Sequence, residues 1–313
     1  LILSPAISHF GSWVEQLIAE STGKEGKGIL PVDGEAVLSP DDYANDRFFV
    51  YLRLKGDGTH DEPVRVLKDA GHPVVEIYLN DLYDIGGEFF RWEMATAVAG
   101  YRLGINPFDQ PNVESAKISA RQILMAYQEA GRLPELIPTL TEDGMAVYAD
   151  EPTHTMGDTI ATALQHFLAP ARTDENKAGL HPYVALQAYL QPSPETDEAL
   201  VHLRTRIQTR LKAATTVGYG PRFLHSTGQL HKGDGGHGLF IQFTDDPSTA
   251  IDIPDTPGET GSTMTFGALM AAQALGDRQA LLDAGRKVIR FHLGRDVDGG
   301  LKRLARIVAE MNY

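Results

Sequence analysis

The sequence predicts an α/β protein built from two consecutive units. Short apolar, β-branched or aromatic runs alternate with longer segments of helical period throughout the 313 residues. This alternation is typical of a parallel sheet with helices on both faces. The length suits two domains of ~150 residues each. The segment 131–138 interrupts the pattern with glycine and prolines, so we predict the junction there and divide the chain into residues 1–134 and 135–313.

The first unit is predicted to form three layers, with a mainly parallel sheet between helices. Apolar and aromatic runs predict its strands, and apolar residues at helical spacing predict its helices. The predicted strands are 1–4, 47–54 and 73–79, and the predicted helices are 10–21, 62–70, 87–104 and 113–130.

The second unit is predicted to be a further α/β arrangement. Its predicted strands are 145–148, 183–190, 239–243 and 287–293, and its predicted helices are 158–168, 196–216, 265–275 and 300–311. Three predicted loops, 22–46, 219–238 and 245–262, exceed the ~12–15 residues that compact domains usually leave without structure. Loops of this length indicate a functional role.

Composition and charge exclude several classes of protein. Forty-two acidic residues against 28 basic ones give a net charge of −14, and the basic residues form no cluster, so nucleic acid is not a predicted partner. No apolar run approaches the ~20 residues that a membrane span needs. Cysteine is absent, which excludes disulfides, thiolate zinc sites and cysteine nucleophiles and favours the cytoplasm as the location.

The first residues of the chain, Leu-Ile-Leu-Ser-Pro, do not resemble a signal peptide. They include no methionine, no basic region and no small-residue cleavage site. An apolar run of this kind is typical of a buried strand. We therefore expect the sequence to start inside a domain of a longer protein.

Glu20 is the first candidate for a catalytic residue. It lies near the C-terminus of the predicted helix 10–21, where the helix dipole disfavours a carboxylate and raises its pKa. A raised pKa suits a general acid or base. The alternative is a solvated glutamate before Gly23, which would end the helix. Lys24 and Lys27, which have glycine neighbours, either bind an anion or belong to a polar connection.

The second candidate is the segment 106–117, in which a turn leads into a helix. Pro111 stands just before the first helical turn, so the backbone N–H groups of residues 110–113 are available to an anion. Lys117 lies about two turns into the helix and reaches such a site only if it lines a cleft. The alternative is an ordinary surface lysine.

The third candidate is the glycine-rich segment 222–233 and the residues that follow it. His225, His231 and His237 with Asp234 are residue types that bind metals. Their spacing of six residues matches no compact metal-ligand signature, so no metal is predicted. A histidine that carries protons near neutral pH is the preferred interpretation.

Two of these segments resemble motifs of the phosphoglucose isomerase family. AESTGKEGKG at 19–28 and FDQPNVESAK at 108–117 are similar to the family's E-S-x-G-K and F-D-Q-x-x-V-E-x-x-K motifs, in the same order. FGSWVEQLIAESTGKEGKGI and LHSTGQLHKG resemble more closely the isomerase part of bifunctional transaldolase/phosphoglucose isomerase proteins. The resemblance covers essentially the whole chain. It implies a sugar-isomerase (SIS-type) domain at 1–134 and an additional α/β domain at 135–313.

The resemblance also implies an activity and a set of site residues. Members of this family interconvert glucose 6-phosphate and fructose 6-phosphate through a cis-enediol, without a metal or other cofactor. Glu20 matches the catalytic base, Lys117 the lysine that helps to open the sugar ring, and Gln110 a glutamine that contacts the substrate. The residues after the base are also expected to contact the substrate: Thr22, Gly23 and Lys24.

The sequence departs from the family pattern at the ring-opening histidine. The family has a glycine-glutamine-histidine segment between its glutamate and lysine motifs, whereas the similar segment 227–231 here follows Lys117. We predict His231 as the ring-opening histidine, with His225 as its rival. The family's phosphate-binding serine/threonine loop belongs to a preceding domain, so we also expect contacts with such a domain, together with a homodimer.

Two other functions stay open at this point. A non-catalytic sugar-phosphate-binding module would use the same anion-binding segments without turnover. A purely structural module would serve only as an interface. The enzyme is favoured if the predicted base and histidine share one cleft.

Overall fold

The structure, a computed structural model, confirms an α/β protein with mainly parallel sheets. It describes residues 1–150, 156–172, 182–246, 249 and 251–311, but not the side chains of residues 113–117. The helices are α1 (His9–Thr22), α2 (Asp61–Asp69), α3 (Ile85–Leu103), α4 (Val113–Ala130), α5 (Ile160–Leu168), α6 (Pro194–Leu211), α7 (Gly228–Gly233), α8 (Phe266–Asp283) and α9 (Val297–Glu310). The strands are β1 (Ile2–Leu3), β2 (Phe49–Leu54), β3 (Val74–Leu79), β4 (Leu140–Glu142), β5 (Met145–Ala149), β6 (Tyr183–Tyr189), β7 (Ala214–Tyr219), β8 (Gly238–Thr244), β9 (Asp252–Ile253), β10 (Met264–Thr265) and β11 (Lys287–His292).

The first sheet has three parallel strands in the order β1-β2-β3. Successive side chains of a strand point to opposite faces, and β2 supplies a core on each side. Tyr51 packs with Val64 of α2, whereas Leu52 packs with Phe10 and Val14 of α1. The three predicted layers are therefore present, with α1 on one face of the sheet and α2 on the other.

The second sheet has six strands in the order β4-β5-β11-β8-β6-β7. The four strands from β11 to β7 are parallel, and β4 and β5 complete one edge in antiparallel pairing. Every residue of β6 is buried, which is typical of a parallel strand covered on both faces and explains why its sequence is apolar or aromatic except at Gln187. One face is mainly apolar and packs against α5, α6 and α9.

The opposite face of the second sheet carries a buried polar layer. Gln187, Gln242 and Arg290 stand in register on β6, β8 and β11, so their side chains lie on the same face. The Arg290 Nε–H donates to Gln242 Oε1 at 2.7 Å. Above them, Lys232 of α7 forms a 2.7 Å ion pair with Asp277 of α8, and both side chains are buried. This layer joins α7 and α8 to the sheet.

The sequence prediction is wrong at the end of α6. The helical period predicts a helix to 216, but α6 ends at Leu211 and residues 214–219 form β7. Lys212 ends the helix with a left-handed φ of 54°, and its N–H donates to the Gln208 carbonyl. Thr215, Thr216 and Val217 are β-branched residues, which favour a strand once the helix has stopped.

The predictions for α7 and α8 also differ from the structure. The predicted loop 219–238 contains the short 3-10 helix Arg222–His225 and then α7. The predicted helix 265–275 continues to Asp283. All six residues of α7 are buried, so contacts with distant segments stabilise a helix that its own short sequence does not predict.

The two halves of the chain pack through α4 and α8. A Cβ on Gly276 of α8 would lie 2.7 Å from the Ala120 nitrogen of α4, which shows how closely the helices approach. The domain boundary at residue 134 stays a prediction. Within the part of the chain that the structure describes, no helix is both long enough and apolar enough to cross a membrane.

The buried ion pair allows a test of the polar layer. We expect Asp277→Leu to lower the free energy of unfolding by about 3–5 kcal/mol, because it leaves the Lys232 ammonium buried without its partner. The double variant Lys232→Met/Asp277→Leu should lose less than the sum of the two single variants, since no buried charge remains. Urea denaturation measures all three, and additive losses would contradict this account of the pair.

Candidate active site

Glu20 lies in the last turn of α1, and its carboxylate meets a side chain from the second motif. Its Oε2 accepts hydrogen bonds from Gln16 Nε2 on the same helix and from Gln110 Nε2, both at 3.4 Å. Gln110 is 90 residues further along the chain and exposed. The fold therefore brings together the two side chains that the sequence motifs had identified separately.

Opposing effects act on the pKa of the Glu20 carboxyl. Partial burial is the largest and raises the pKa. The hydrogen bond from Gln16 and the electrostatic interactions with His225 and Lys24 lower it, but the net change is upward. The direction is the one predicted from the helix dipole, while the main physical cause is desolvation of the carboxylate. His225 is exposed at the end of its 3-10 helix.

Lys24 holds the glycine-rich loop after α1 against the segment that leads to α4. Its side chain is only 1% exposed, and its Nζ donates to the Asp109 carboxylate at 3.0 Å and to the Asp109 carbonyl. The hydrogen bond from Lys24 lowers the pKa of Asp109. Lys27 donates to the Leu103 carbonyl at 2.6 Å. Both lysines are thus engaged in contacts within the protein.

Thr22 is also engaged in the scaffold. It is fully buried, its Oγ1 donates to the Ile18 carbonyl at 2.7 Å, and the same oxygen accepts from the Ile29 N–H at 3.0 Å. The hydroxyl therefore fixes the end of α1 and the path of the following loop. The predicted contacts of Thr22, Gly23 and Lys24 with substrate stay untested.

Gln229 of α7 is a site residue that sequence reasoning did not select. Its side chain is fully buried, and its Nε2 donates to the Gly23 carbonyl at 2.7 Å and to Asn112 Oδ1 at 2.8 Å. Its Oε1 accepts from the Asn112 N–H at 2.9 Å. One amide therefore connects all three motif segments. The sequence contained one indication of this role, the polar glutamine in TGQLH at 227–231. That segment was predicted to be a loop, so the burial of the glutamine was not expected.

Two glycines allow these segments to approach each other. A Cβ on Gly23 would lie 2.3 Å from Leu230 Cα, and a Cβ on Gly233 would lie 2.2 Å from the Gly23 oxygen. The φ of Gly23 is −77°, so this glycine is required for space and not for a left-handed conformation. We call the group Gly23, Asn112, Gln229 and Gly233 the motif junction.

His231 lies in a different environment from Glu20. It is 2% exposed, its ring packs near Phe223 and Phe240, and its Nδ1 is 3.4 Å from Gln187 Nε2 of the polar layer. Burial lowers the pKa of its imidazole well below the ordinary value. Among the described residues, no hydrogen bond joins His231 to Glu20 or Gln110. His225, not His231, interacts electrostatically with the candidate base, and the predicted role of His231 stays untested.

Lys117 lies in the second turn of α4, which begins at Val113 as predicted. Its side chain is outside the described residues, so its predicted role in ring opening stays untested. Where side chains are described, no three histidine, aspartate or glutamate side chains gather as a metal site would require.

A separate cavity of about 440 Å³ has Thr22 in its wall. Its walls are mainly apolar and come from both halves of the chain, with Ile18, Phe49 and Trp92 among them. None of Glu20, Gln110 and His225 lines it. The polar surface where Glu20 meets Gln110 is therefore distinct from this cavity.

Comparison with known proteins identifies relatives for part of the chain. No family model matches it. Part of the chain is similar in sequence to glucose-6-phosphate isomerases. The isomerases of Leptospira biflexa and Lactobacillus gasseri are each 30% identical, and that of Parabacteroides distasonis is 29% identical. Each match covers 36% of this chain and 34% of the relative, so the similarity spans about a third of the curated relatives' length.

Among solved structures, a hypothetical protein of Thermus thermophilus aligns with 98% of this chain and 76% of its own chain. The sequence identity is 14% and the TM-score is 0.39, which is too low to support a common fold. The relationship to the isomerases therefore depends on the sequence similarity. The transaldolase part of the predicted fusion finds no support in these matches.

The close approach at the motif junction can be tested with a single methyl group. We expect Gly233→Ala to lower the free energy of unfolding by about 1–3 kcal/mol, because the added Cβ overlaps the Gly23 carbonyl, which cannot move without its backbone. Gly261→Ala is the control, since no described atom lies within 4 Å of its Cβ position. Thermal unfolding measures both variants. Equal stability of the Gly233→Ala and Gly261→Ala variants would show that the motif junction has room for a methyl group at position 233.

Proposed function

We propose that this protein is a sugar-phosphate aldose–ketose isomerase that interconverts glucose 6-phosphate and fructose 6-phosphate, with Glu20 as the base. The contact between the Glu20 carboxylate and Gln110 is the main support, because it joins the two motifs that resemble phosphoglucose isomerases. The partial sequence similarity to glucose-6-phosphate isomerases supports the same activity.

A single carboxylate is sufficient for the proton transfers of this reaction. The base breaks the C2–H bond of the open-chain aldose, and the carbonyl oxygen at C1 takes up a proton to give the cis-enediol. The C2 hydroxyl then loses its proton, while the protonated base returns its own proton to C1. A carboxyl whose pKa is raised toward neutrality both accepts and returns a proton readily, which fits the environment of Glu20.

The neighbours of Glu20 suggest roles in orientation and ring opening. Gln110 donates to one carboxylate oxygen of Glu20 and so helps to orient the base. We assign ring opening to His225 in preference to His231, because His225 is exposed and acts electrostatically on Glu20, whereas burial keeps His231 away from solvent. An accessible histidine can carry a proton between a sugar oxygen and water near neutral pH. Lys117 is retained as the lysine that helps to open the sugar ring.

The wider implications of the motif resemblance are also proposals. They are the SIS type of the first unit, a transaldolase in the same polypeptide, a homodimer and a cytoplasmic location. A binding module without turnover is the remaining alternative, and an isomerase assay separates it from the enzyme.

Substitution of the base is the direct test of this function. Glu20→Gln should lower kcat by about 10²-fold or more, because the amide keeps the shape of the carboxyl but does not accept the C2 proton. Conversion of fructose 6-phosphate, followed through a coupled dehydrogenase, measures it. Glu25→Gln is the control, since that glutamate is exposed in the next loop and should retain full activity. Near-wild-type turnover of Glu20→Gln would refute the assignment.

The pH dependence tests the electrostatic neighbours of the base. Activity requires ionised Glu20, so kcat/KM should fall on the acid side as pH drops through its pKa, above the ordinary value of 4.5. His225→Gln removes the electrostatic interaction that lowers this pKa, and the acid limb should therefore move to higher pH. His202→Gln, at an exposed position on α6, should leave the limb unchanged. A limb that moves to lower pH in His225→Gln would contradict the proposed environment.

A further inference from the structure

The side-chain amide of Gln229 uses each of its hydrogen-bonding groups to join distant segments. Its two N–H groups donate to the Gly23 carbonyl and to Asn112 Oδ1, and its oxygen accepts from the Asn112 N–H. The partners are 206 and 117 residues away in sequence. Because the amide is fully buried, loss of any of these bonds would leave a polar group without a partner or solvent.

Each hydrogen bond of the Gln229 amide reaches a residue that is two or three positions after Glu20 or Gln110 in the sequence. Gly23 follows Glu20 by three residues, and its N–H donates to the Ala19 carbonyl at 3.1 Å, so its backbone belongs to the last turn of α1. Asn112 is the residue before α4 and follows Gln110 by two. The two sides of the Glu20–Gln110 contact are therefore held at a fixed separation by one side chain.

Gln229 is itself held by the second half of the chain. The neighbouring Lys232 is paired with Asp277 in the buried polar layer, and the Arg286 Nε–H donates to the His231 carbonyl at 2.9 Å. The Arg286 Nη2 also donates to the Lys232 carbonyl at 2.6 Å. These bonds anchor α7 to the second sheet. The second sheet thus acts as the rigid support on which the ends of α1 and α4 are aligned.

We propose that Gln229 is a positioning residue that aligns Glu20 with Gln110 and thereby sets the rate of proton transfer. It does not touch the substrate and acts through Gly23 and Asn112. This inference rests on the proposed isomerase function. Misplacement of a catalytic group by about 1 Å costs on the order of 10²-fold in rate, so a modest shift of the end of α1 is sufficient for a large effect.

Gln229→Leu tests this role, because leucine fills similar space without hydrogen bonds. We expect kcat to fall by about 10–100-fold, with KM nearly unchanged, when the variant is assayed well below its unfolding temperature. Gln208→Leu is the matched control, since Gln208 is also about 1% exposed but lies on α6. It should keep kcat. Amide hydrogen exchange at residues 20–24 should accelerate in Gln229→Leu and not in the control.

Each outcome bears on the inference. Unchanged kcat in Gln229→Leu, an effect on KM alone, or an equal loss of kcat in Gln208→Leu would overturn it. If Gln229→Leu does not fold, Asn112→Ser removes the side-chain amide with its Oδ1 acceptor and keeps the backbone N–H that donates to Gln229. This variant should give a smaller loss of kcat in the same direction, and an unchanged kcat would overturn the inference. A wild-type protein without isomerase activity would refute the proposed function and the inference together, whereas an active wild type with an unaffected Gln229→Leu would refute the inference alone.

Discussion

The hydrogen bonds of the buried Gln229 amide are the contact on which the candidate site depends. They join the end of α1, the residue before α4 and the helix α7. A buried amide strongly favours the one arrangement in which its donors and acceptor are all paired. The absence of side chains at Gly23 and Gly233 lets the backbones come close enough for these bonds. The meeting of Glu20 and Gln110 follows from this arrangement.

The electrostatics of the site follow from the same packing. The end of α1 lies between two other segments, so the Glu20 carboxylate is partly removed from water and its pKa rises. Lys24 is close enough to oppose this rise, but its charge is shared with Asp109. The exposed His225 also opposes the rise through its electrostatic interaction with Glu20. The net effect of burial and these interactions is a Glu20 pKa above the ordinary value.

Much of the fold was predictable from local pattern. The apolar runs of β3, β6 and β11 and the periodicity of α4 predicted elements within one or two residues of those observed. In the candidate site, motif order identified Glu20 and Gln110. The pattern failed at β7, where a helical period continued past Lys212, and at α7, which is too short to have a period of its own. At β7 the β-branched residues favour a strand once Lys212 has ended the helix, whereas at α7 contacts with distant segments stabilise the helix.

The sequence by itself determined the α/β class, the main strands and helices, and the residue types that suit proton transfer. Tertiary structure alone decided which histidine lies near the base and which side chain joins the motifs. His225 and His231 are six residues apart and chemically identical in the sequence, but α7 packs His231 against the second sheet and leaves His225 exposed. Burial and hydrogen-bond partners depend on segments more than a hundred residues away, so no local pattern contains them.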